Sequence, residues 1–223
     1  MLLQACTNAS DRLLNEAKDL MQQGEYEKAK DYLNRAINQD VKNAEAFNAR
    51  GVVYFNLNDY QNAILDYNQA IRLDSQQYKP YFNRALAKTR LGNTEGAVED
   101  YSRAIGLKPD TNEVYINRGY VYMQLDRYNE ALLDFDRAIE LNKQDKRAYF
   151  NRGSVQMALG KFDQASQDFA RAIQLDTGFA DAYFGWGQSE LKRQNQKSAC
   201  QYFQRASQLG HATAKRISEA LCK

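Results

Sequence analysis

The chain has 223 residues and a formal net charge of +2, with basic and acidic residues in nearly equal number. This near-neutrality gives no electrostatic reason to expect nucleic acid or an anionic membrane surface as a partner. No apolar run is long enough to span a bilayer, and the chain contains only two prolines. Composition and charge therefore argue against nucleic-acid-binding and membrane-spanning functions.

Residues 1–9 are expected to form a tail ahead of the first structured element. Within them, Leu3-Gln4-Ala5-Cys6 matches the end of a bacterial lipoprotein signal, which makes Cys6 a candidate lipidation site. The residues before Cys6 contain no basic segment and only two leucines, however, far short of the apolar stretch of such a signal. Either the natural start lies further upstream, or the match is accidental.

From residue 10 to residue 210, small residues recur at a fixed interval of 34 residues, six times over. The first series is Ala17, Gly51, Ala85, Gly119, Gly153 and Gly187; the second is Ala29, Ala63, Ala97, Ala131, Ala165 and Ala199; the third is Ala36, Ala70, Ala104, Ala138, Ala172 and Ala206. One period shared by three series describes a single supersecondary unit stacked on copies of itself. Because such a stack grows by addition, we expect one domain over residues 10–210 without an internal boundary.

Within each unit the spacing predicts two helices joined by a turn. Tyr81 and Ala85 are four residues apart and share one helix face, and so do Ala63 and Tyr67 in the second half of the preceding unit. Residues that tolerate the left-handed conformation at a helix end stand between the halves: Gly24, Asn58, Gly92, Asp126 and Gly160. The sixth unit has Gln194 there, so its turn is expected to be the most strained or the most irregular.

The segment 47–74 resembles the tetratricopeptide repeat. It reads F-x2-R-G-x2-Y and continues with Ala63, Tyr67 and Ala70 in the positions of that family. The resemblance extends over residues 10–211 and implies an all-α fold, a right-handed α-solenoid of six helix-turn-helix repeats. It further implies an interaction scaffold and leaves the partner open.

The last residues, 211–223, are expected to form one more helix that caps the sixth repeat. Ala214, Ile217 and Leu221 share one face of this helix and would cover the last open apolar layer. His211, the only histidine of the chain, is expected to cap or flank the start of this helix.

Repeats two to five carry an arginine just before the small residue of the first helix and an aspartate 16 residues later. These residues are Arg50, Arg84, Arg118 and Arg152, followed by Asp66, Asp100, Asp134 and Asp168. Repeat one has Glu16 and Tyr32 at these places and repeat six has Trp186 and Tyr202, so the two residue types are present or absent together. Since an uncompensated buried charge is costly, we expect an Arg–Asp ion pair inside each middle hairpin. The alternative is that both side chains point to solvent.

Asparagine recurs two residues before the small residue of the first helix, at Asn15, Asn83, Asn117 and Asn151. This position lies about 200 degrees round the helix from the buried aromatic residue, on the face away from the hairpin core. The series resembles the asparagine ladder by which the repeat domain of O-linked N-acetylglucosamine transferases holds extended peptides. A side-chain amide both donates and accepts, so it matches the peptide unit of an extended chain. Ala49 and Gly185 interrupt the series in repeats two and six.

Large apolar side chains stand in phase beside the asparagines. They are Phe82, Ile116, Phe150 and Phe184, together with Phe55, Met123, Met157 and Tyr120. Aromatic residues and methionines on an exposed concave face would form pockets for the apolar side chains of a partner. Alternatively, these residues pack against the adjacent repeat, and the asparagines cap or solvate their helices.

We expect no catalytic site, no metal site and no cofactor. No nucleophile or acid stands in phase with His211, no Gly-rich phosphate loop follows a strand, and the three cysteines are too widely spaced for a zinc site. Cys200 takes the place of Ile64, Val98 and Leu132 in other repeats and is therefore expected to be a core thiol.

The sequence thus predicts a protein-interaction scaffold that binds an extended segment in a concave groove, in the cytoplasm by default. Two alternatives remain open. The first is a lipid-anchored factor of bacterial envelope assembly, attached to the membrane through Cys6. The second is a self-associating structural scaffold, which would be a homo-oligomer.

Overall fold

The computed structural model describes the backbone of residues 2–222 and the side chains of residues 9–222. All regular structure in this range is helical and consists of 13 helices. They are α1 (Leu2–Gln22), α2 (Tyr26–Gln39), α3 (Ala44–Asn56), α4 (Tyr60–Leu73), α5 (Tyr78–Arg90), α6 (Thr94–Leu107), α7 (Asn112–Gln124), α8 (Tyr128–Leu141), α9 (Lys146–Ala158), α10 (Phe162–Leu175), α11 (Ala180–Lys192), α12 (Gln196–Gln208) and α13 (Ala212–Leu221).

The first twelve helices pack pairwise into six hairpins, from α1 with α2 to α11 with α12. The hairpins fall into two compact units, Met1–Asp110 and Thr111–Lys223, with three hairpins in each. Within a unit, the second helix of each hairpin packs against the first helix of the next. The predicted all-α solenoid class of helix-turn-helix repeats is confirmed.

Helix α1 begins at Leu2, so the segment predicted as a tail is helical from its second residue. The physical reason lies in its composition, because residues 2–9 contain leucine, glutamine and alanine and neither glycine nor proline. The side chain of Cys6 lies outside the described residues.

The small residues sit where two helices approach most closely in the core of each hairpin. A Cβ atom built on Gly119 would lie 2.8 Å from the ring of Phe135, and one built on Gly187 would lie 2.7 Å from the ring of Phe203. Both rings are fully buried. The aromatic residue of the second helix thus packs directly over the small residue of the first helix. This contact explains why the small residues and the aromatic residues recur with the same period.

The turn inside each hairpin has a residue with positive φ. Asn58 has φ of 62° and Gln194 has φ of 63°, so the sixth turn is in the left-handed conformation like the others. Its backbone hydrogen bonds also match: Asn195 N donates to Glu190 O at 2.9 Å, as Asp59 N does to Tyr54 O at 2.8 Å in the second repeat. The turn at Gln194 is therefore regular in geometry. It is strained because the left-handed backbone conformation is unfavourable for glutamine.

Helix α13 packs on α12, as the cap predicted for residues 211–223. His211 starts it, because its Nδ1 accepts a hydrogen bond from Ala214 N at 3.1 Å, which confirms the predicted capping role. Cys200 forms a disulfide with Cys222, with 5.4 Å between the Cα atoms. The prediction of a free core thiol at Cys200 is therefore wrong, because the packing of α13 brings a residue 22 positions away beside it.

Candidate functional site

In each middle hairpin the arginine of the first helix is bound by the aspartate of the second through two parallel hydrogen bonds. Arg50 Nε donates to Asp66 Oδ2 at 2.7 Å, and Arg50 Nη2 donates to Asp66 Oδ1 at 2.7 Å. The same arrangement, at 2.5–2.8 Å, joins Arg84 to Asp100, Arg118 to Asp134 and Arg152 to Asp168. All four aspartates are buried. These are bidentate, charge-assisted pairs, which fix the angle of one helix against the other.

The remaining nitrogen of the guanidinium reaches back to the preceding hairpin. Its acceptor is Asn34 Oδ1 for Arg50 at 2.8 Å, Asn68 Oδ1 for Arg84 at 2.5 Å and Asp136 Oδ1 for Arg152 at 2.6 Å. Each of these three arginines therefore holds its own hairpin together and also attaches it to its neighbour. These acceptors were not predicted, although the sequence has an in-phase polar residue 16 positions before each arginine.

Repeat six replaces the whole arrangement with an apolar one. Trp186 and Tyr202 occupy the places of the arginine and the aspartate, and their rings stack with centroids 4.0 Å apart and planes inclined by 16°. Ala170 stands where the preceding hairpins carry the acceptor. The three positions thus change together.

The electrostatics of these pairs point to a structural role. The hydrogen bonding to Asp66 is the main cause that raises the pKa of Arg50, and the hydrogen bonding to Asp168 does the same for the pKa of Arg152. Burial raises the pKa of Asp134, and the hydrogen bonds from Arg118 only partly oppose this. The paired guanidinium groups are satisfied inside the protein and are not free to bind a partner.

The asparagines of the predicted ladder are placed in two different ways. In the first unit, Asn83 Nδ2 donates to Asn48 Oδ1 at 3.0 Å, so the two amides form a pair between α5 and α3. In the second unit, Asn117 Nδ2 donates to Glu113 O of its own helix at 2.8 Å. Asn151 is half-buried in the second unit, and Asn15 is exposed in the first. The amides are thus accessible, but the hydrogen-bond donors of Asn83 and Asn117 each already make a contact.

The phenylalanines beside the asparagines pack against other aromatic rings. Phe150 lies 5.9 Å from the Phe169 ring of its own hairpin and 4.9 Å from the Phe179 ring at the start of the next. Phe184 likewise lies 5.8 Å from Phe203 and stacks on His211 at 4.2 Å. In the first unit, Phe82 lies 5.9 Å from Tyr101. All three rings are half-buried packing residues, and those of Phe150 and Phe184 face the beginning of the following helix.

The other apolar residues of the predicted groove differ in exposure. Ile116 is only 4% exposed and offers no free surface, whereas Tyr120 is 42% exposed. Met123 and Met157 are half-buried. Phe55 is half-buried as well and packs edge-on against Tyr60 at 5.3 Å, toward the turn of its hairpin.

A cavity of about 390 Å³ opens in the first unit between α1, α3 and α5. Its apolar lining includes Met21, Ala49, Val52 and Pro80, and Asn48 lies at its wall. This cavity was not predicted from the sequence. Two adjacent departures from the repeat pattern indicate it in the sequence. Asn48 replaces the large apolar residue of later repeats, and Ala49 replaces the asparagine.

Within residues 2–222, no helix has both the length and the apolar character that crossing a membrane requires. The described part of the chain also contains no cluster of three or more His, Cys, Asp or Glu residues suited to a metal ion.

Comparison with known proteins gives one family and one fold. Family models described as tetratricopeptide repeat match residues 14–78, 113–145, 147–178 and 181–208, and a model described as TPR repeat matches residues 86–126. No curated protein matches the sequence.

Several solved structures have the same fold. Pseudomonas aeruginosa PilF is 20% identical, covers 97% of this chain and 99% of its own, and has a TM-score of 0.85. YrrB, described as a TPR protein with an unusual peptide-binding site, is 23% identical over 84% of this chain and 97% of its own, with a TM-score of 0.71. MamA is 24% identical over 74% of this chain and 96% of its own, with a TM-score of 0.69. At these identities the similarity establishes the fold.

Proposed function

Since the chain belongs to the tetratricopeptide repeat family, whose fold generally mediates protein–protein interaction, we propose that it holds an extended segment of a partner protein. The observation that carries this proposal is the asparagine series on the first helices, at Asn15, Asn83, Asn117 and Asn151. Within each unit, side-chain amides at this position of the repeat provide hydrogen-bonding atoms for the peptide units of such a segment. The peptide-binding site described for YrrB, a protein of the same fold, supports the same class of partner.

Alanine at Asn83, Asn117 and Asn151 together is expected to weaken peptide binding about tenfold to thousandfold, because each lost hydrogen bond contributes about 0.5–1.5 kcal/mol. The ligands for this test are dodecamer peptides selected from a random library on the wild-type protein, and the measurement is their Kd by fluorescence anisotropy. Asn129→Ala is the matched control, because Asn129 is exposed on α8, a second helix. Equal affinity of the wild type and the triple variant would reject the asparagine series as the binding element.

A second candidate function is a factor of bacterial envelope assembly, lipid-anchored through Cys6. The disulfide between Cys200 and Cys222 favours it, because such bonds persist in oxidising compartments and are rare in the cytosol.

Thiol trapping in cells distinguishes this candidate from a cytoplasmic scaffold. Cells are lysed directly into denaturant that contains a maleimide polymer of high mass, so that free thiols are labelled before any air oxidation. In an oxidising compartment Cys200 and Cys222 are expected to stay unlabelled until a reductant is added. Labelling of both without reductant would exclude the envelope candidate. Mass spectrometry of the N-terminal peptide then reports whether Cys6 carries a lipid.

A further inference from the structure

The cavity of the first unit lies where the repeat pattern omits an aromatic side chain. In later repeats the same helix position holds Phe82, Ile116, Phe150 and Phe184, whereas repeat two has Asn48. The next position has the small residue Ala49 instead of asparagine, and it is buried against the cavity. Two adjacent reductions in side-chain volume therefore open this one place in the first unit.

The chain itself shows which group fits this place. In repeat five, the ring of Phe150 extends from its own helix to Phe179, the residue just before the next repeat's first helix. Gln77 holds the corresponding position after repeat two, and it lines the cavity. A phenyl ring delivered from outside would thus occupy the space that the protein's own phenylalanine fills elsewhere.

The charges at the cavity select against a charged group. Two cations, Lys18 and Lys79, and two anions, Glu45 and Asp74, lie around it. Lys18 Nζ is already paired with Glu45 Oε1 at 2.6 Å. Because the charges balance and Met21, Val52 and Pro80 form apolar walls, burial of an uncharged ring is favourable and burial of a charged group is not.

We propose that this cavity is the anchor site for one aromatic side chain of a partner's extended segment. The volume of about 390 Å³ lies in the range of ligand sites in proteins. The Asn48–Asn83 amide pair adjoins the cavity and offers its remaining hydrogen-bonding atoms to the main chain beside the anchor. The identity of the occupant as part of a protein segment rests on the proposed function, whereas the preference for an aromatic ring rests on the cavity alone.

Methyl NMR of methionine tests the cavity with a small probe. The chain has four methionines, and Met21 lines the cavity, whereas Met123 and Met157 lie in the second unit. In protein labelled at the methionine methyl carbons, N-acetyl-phenylalaninamide is expected to shift the Met21 signal and to leave those of Met123 and Met157 in place. N-acetyl-alaninamide is expected to shift none of them.

Two substitutions at one position separate the volume from the amide. Asn48→Phe restores the residue type of repeats three, five and six and is expected to abolish the Met21 response. Asn48→Ala keeps the cavity open and is expected to retain it. Thermal unfolding of both variants verifies that they are folded. A response that survives Asn48→Phe, or that is lost equally in both variants, would overturn the proposal. So would a Met21 signal that depends on protein concentration without probe, since a second copy of the chain would then be the occupant.

Peptide binding completes the test. The library-selected dodecamers are expected to share one aromatic residue, and Asn48→Phe is expected to weaken them about tenfold to hundredfold, the effect of losing one buried aromatic side chain. Peptides that bind without an aromatic residue and are unaffected by Asn48→Phe would refute the anchor and leave the proposed function standing. A Met21 response to N-acetyl-phenylalaninamide with no bound peptide in the library would support the cavity and refute the proposed function.

Discussion

Replacing Asp100 with alanine is expected to lower the free energy of unfolding by about 3–5 kcal/mol, the cost of removing one partner from a buried ion pair. Asp100 is only 4% exposed and accepts two hydrogen bonds from Arg84. It also binds Lys88 Nζ at 2.7 Å, so its loss leaves two half-buried cations instead of one. As hydrogen-bond acceptors, Arg84 would keep the amide oxygen of Asn68 and Lys88 the carbonyl of Gly96.

Urea unfolding followed by circular dichroism measures this loss. Glu140→Ala is the control, because it removes an ion pair with Arg137 on the exposed face of α8, and no measurable change is expected. Replacing Arg84, Lys88 and Asp100 together with Met, Leu and Leu is expected to restore most of the stability, because no charge is then left unpaired. If Asp100→Ala cost less than about 1 kcal/mol, the pair would behave as a solvent-exposed one.

Loss of the Cys200–Cys222 disulfide is expected to release the cap helix and to lower the free energy of unfolding by about 3 kcal/mol. This magnitude follows from the loop that the bond closes, in which the two cysteines are 22 residues apart. Helix α13 has a single buried residue, Ala214. Its other contacts in this region include the stack of His211 on Phe184. Without the covalent bond, little apolar burial remains to hold the helix on α12.

Amide hydrogen exchange of the double variant Cys200→Ser, Cys222→Ser reports where the stability is lost. The amides of α13 are expected to lose their protection, whereas those of α7–α10 retain it, because stability in repeat proteins is largely a sum of local terms. Cys6→Ser serves as the control for removal of a thiol. Unchanged protection of α13 in the double variant would show that packing alone holds the cap.

The 34-residue period was enough to predict the helix hairpins. The pattern of Ala63 and Tyr67, or of Ala131 and Phe135, reports which residues share a helix face, and each hairpin forms from residues close in sequence. A turn residue such as Asn58 is likewise a local signal, since its left-handed backbone depends on its own side chain. These features could be derived because they are properties of one repeat.

The family and the solenoid class followed from the same local pattern. The face of the helix that carries the asparagines could also be assigned from residue spacing alone. Their hydrogen-bond partners could not, because Asn83 contacts an amide of the neighbouring repeat, and Asn117 turns back to its own helix.

Only the tertiary structure decided what happens between repeats. The contact of Arg50 with Asn34, the disulfide from Cys200 to Cys222 and the cavity beside Asn48 each join residues of different hairpins or helices. A repeat period fixes the register of such residues but not the distance between their side chains, which depends on how closely successive hairpins pack. For the same reason, the sequence predicted Phe150 on the exposed face of a groove, whereas its ring packs against Phe179. Local periodicity determined the elements, and side-chain volume at the contacts between them determined which side chains remain exposed.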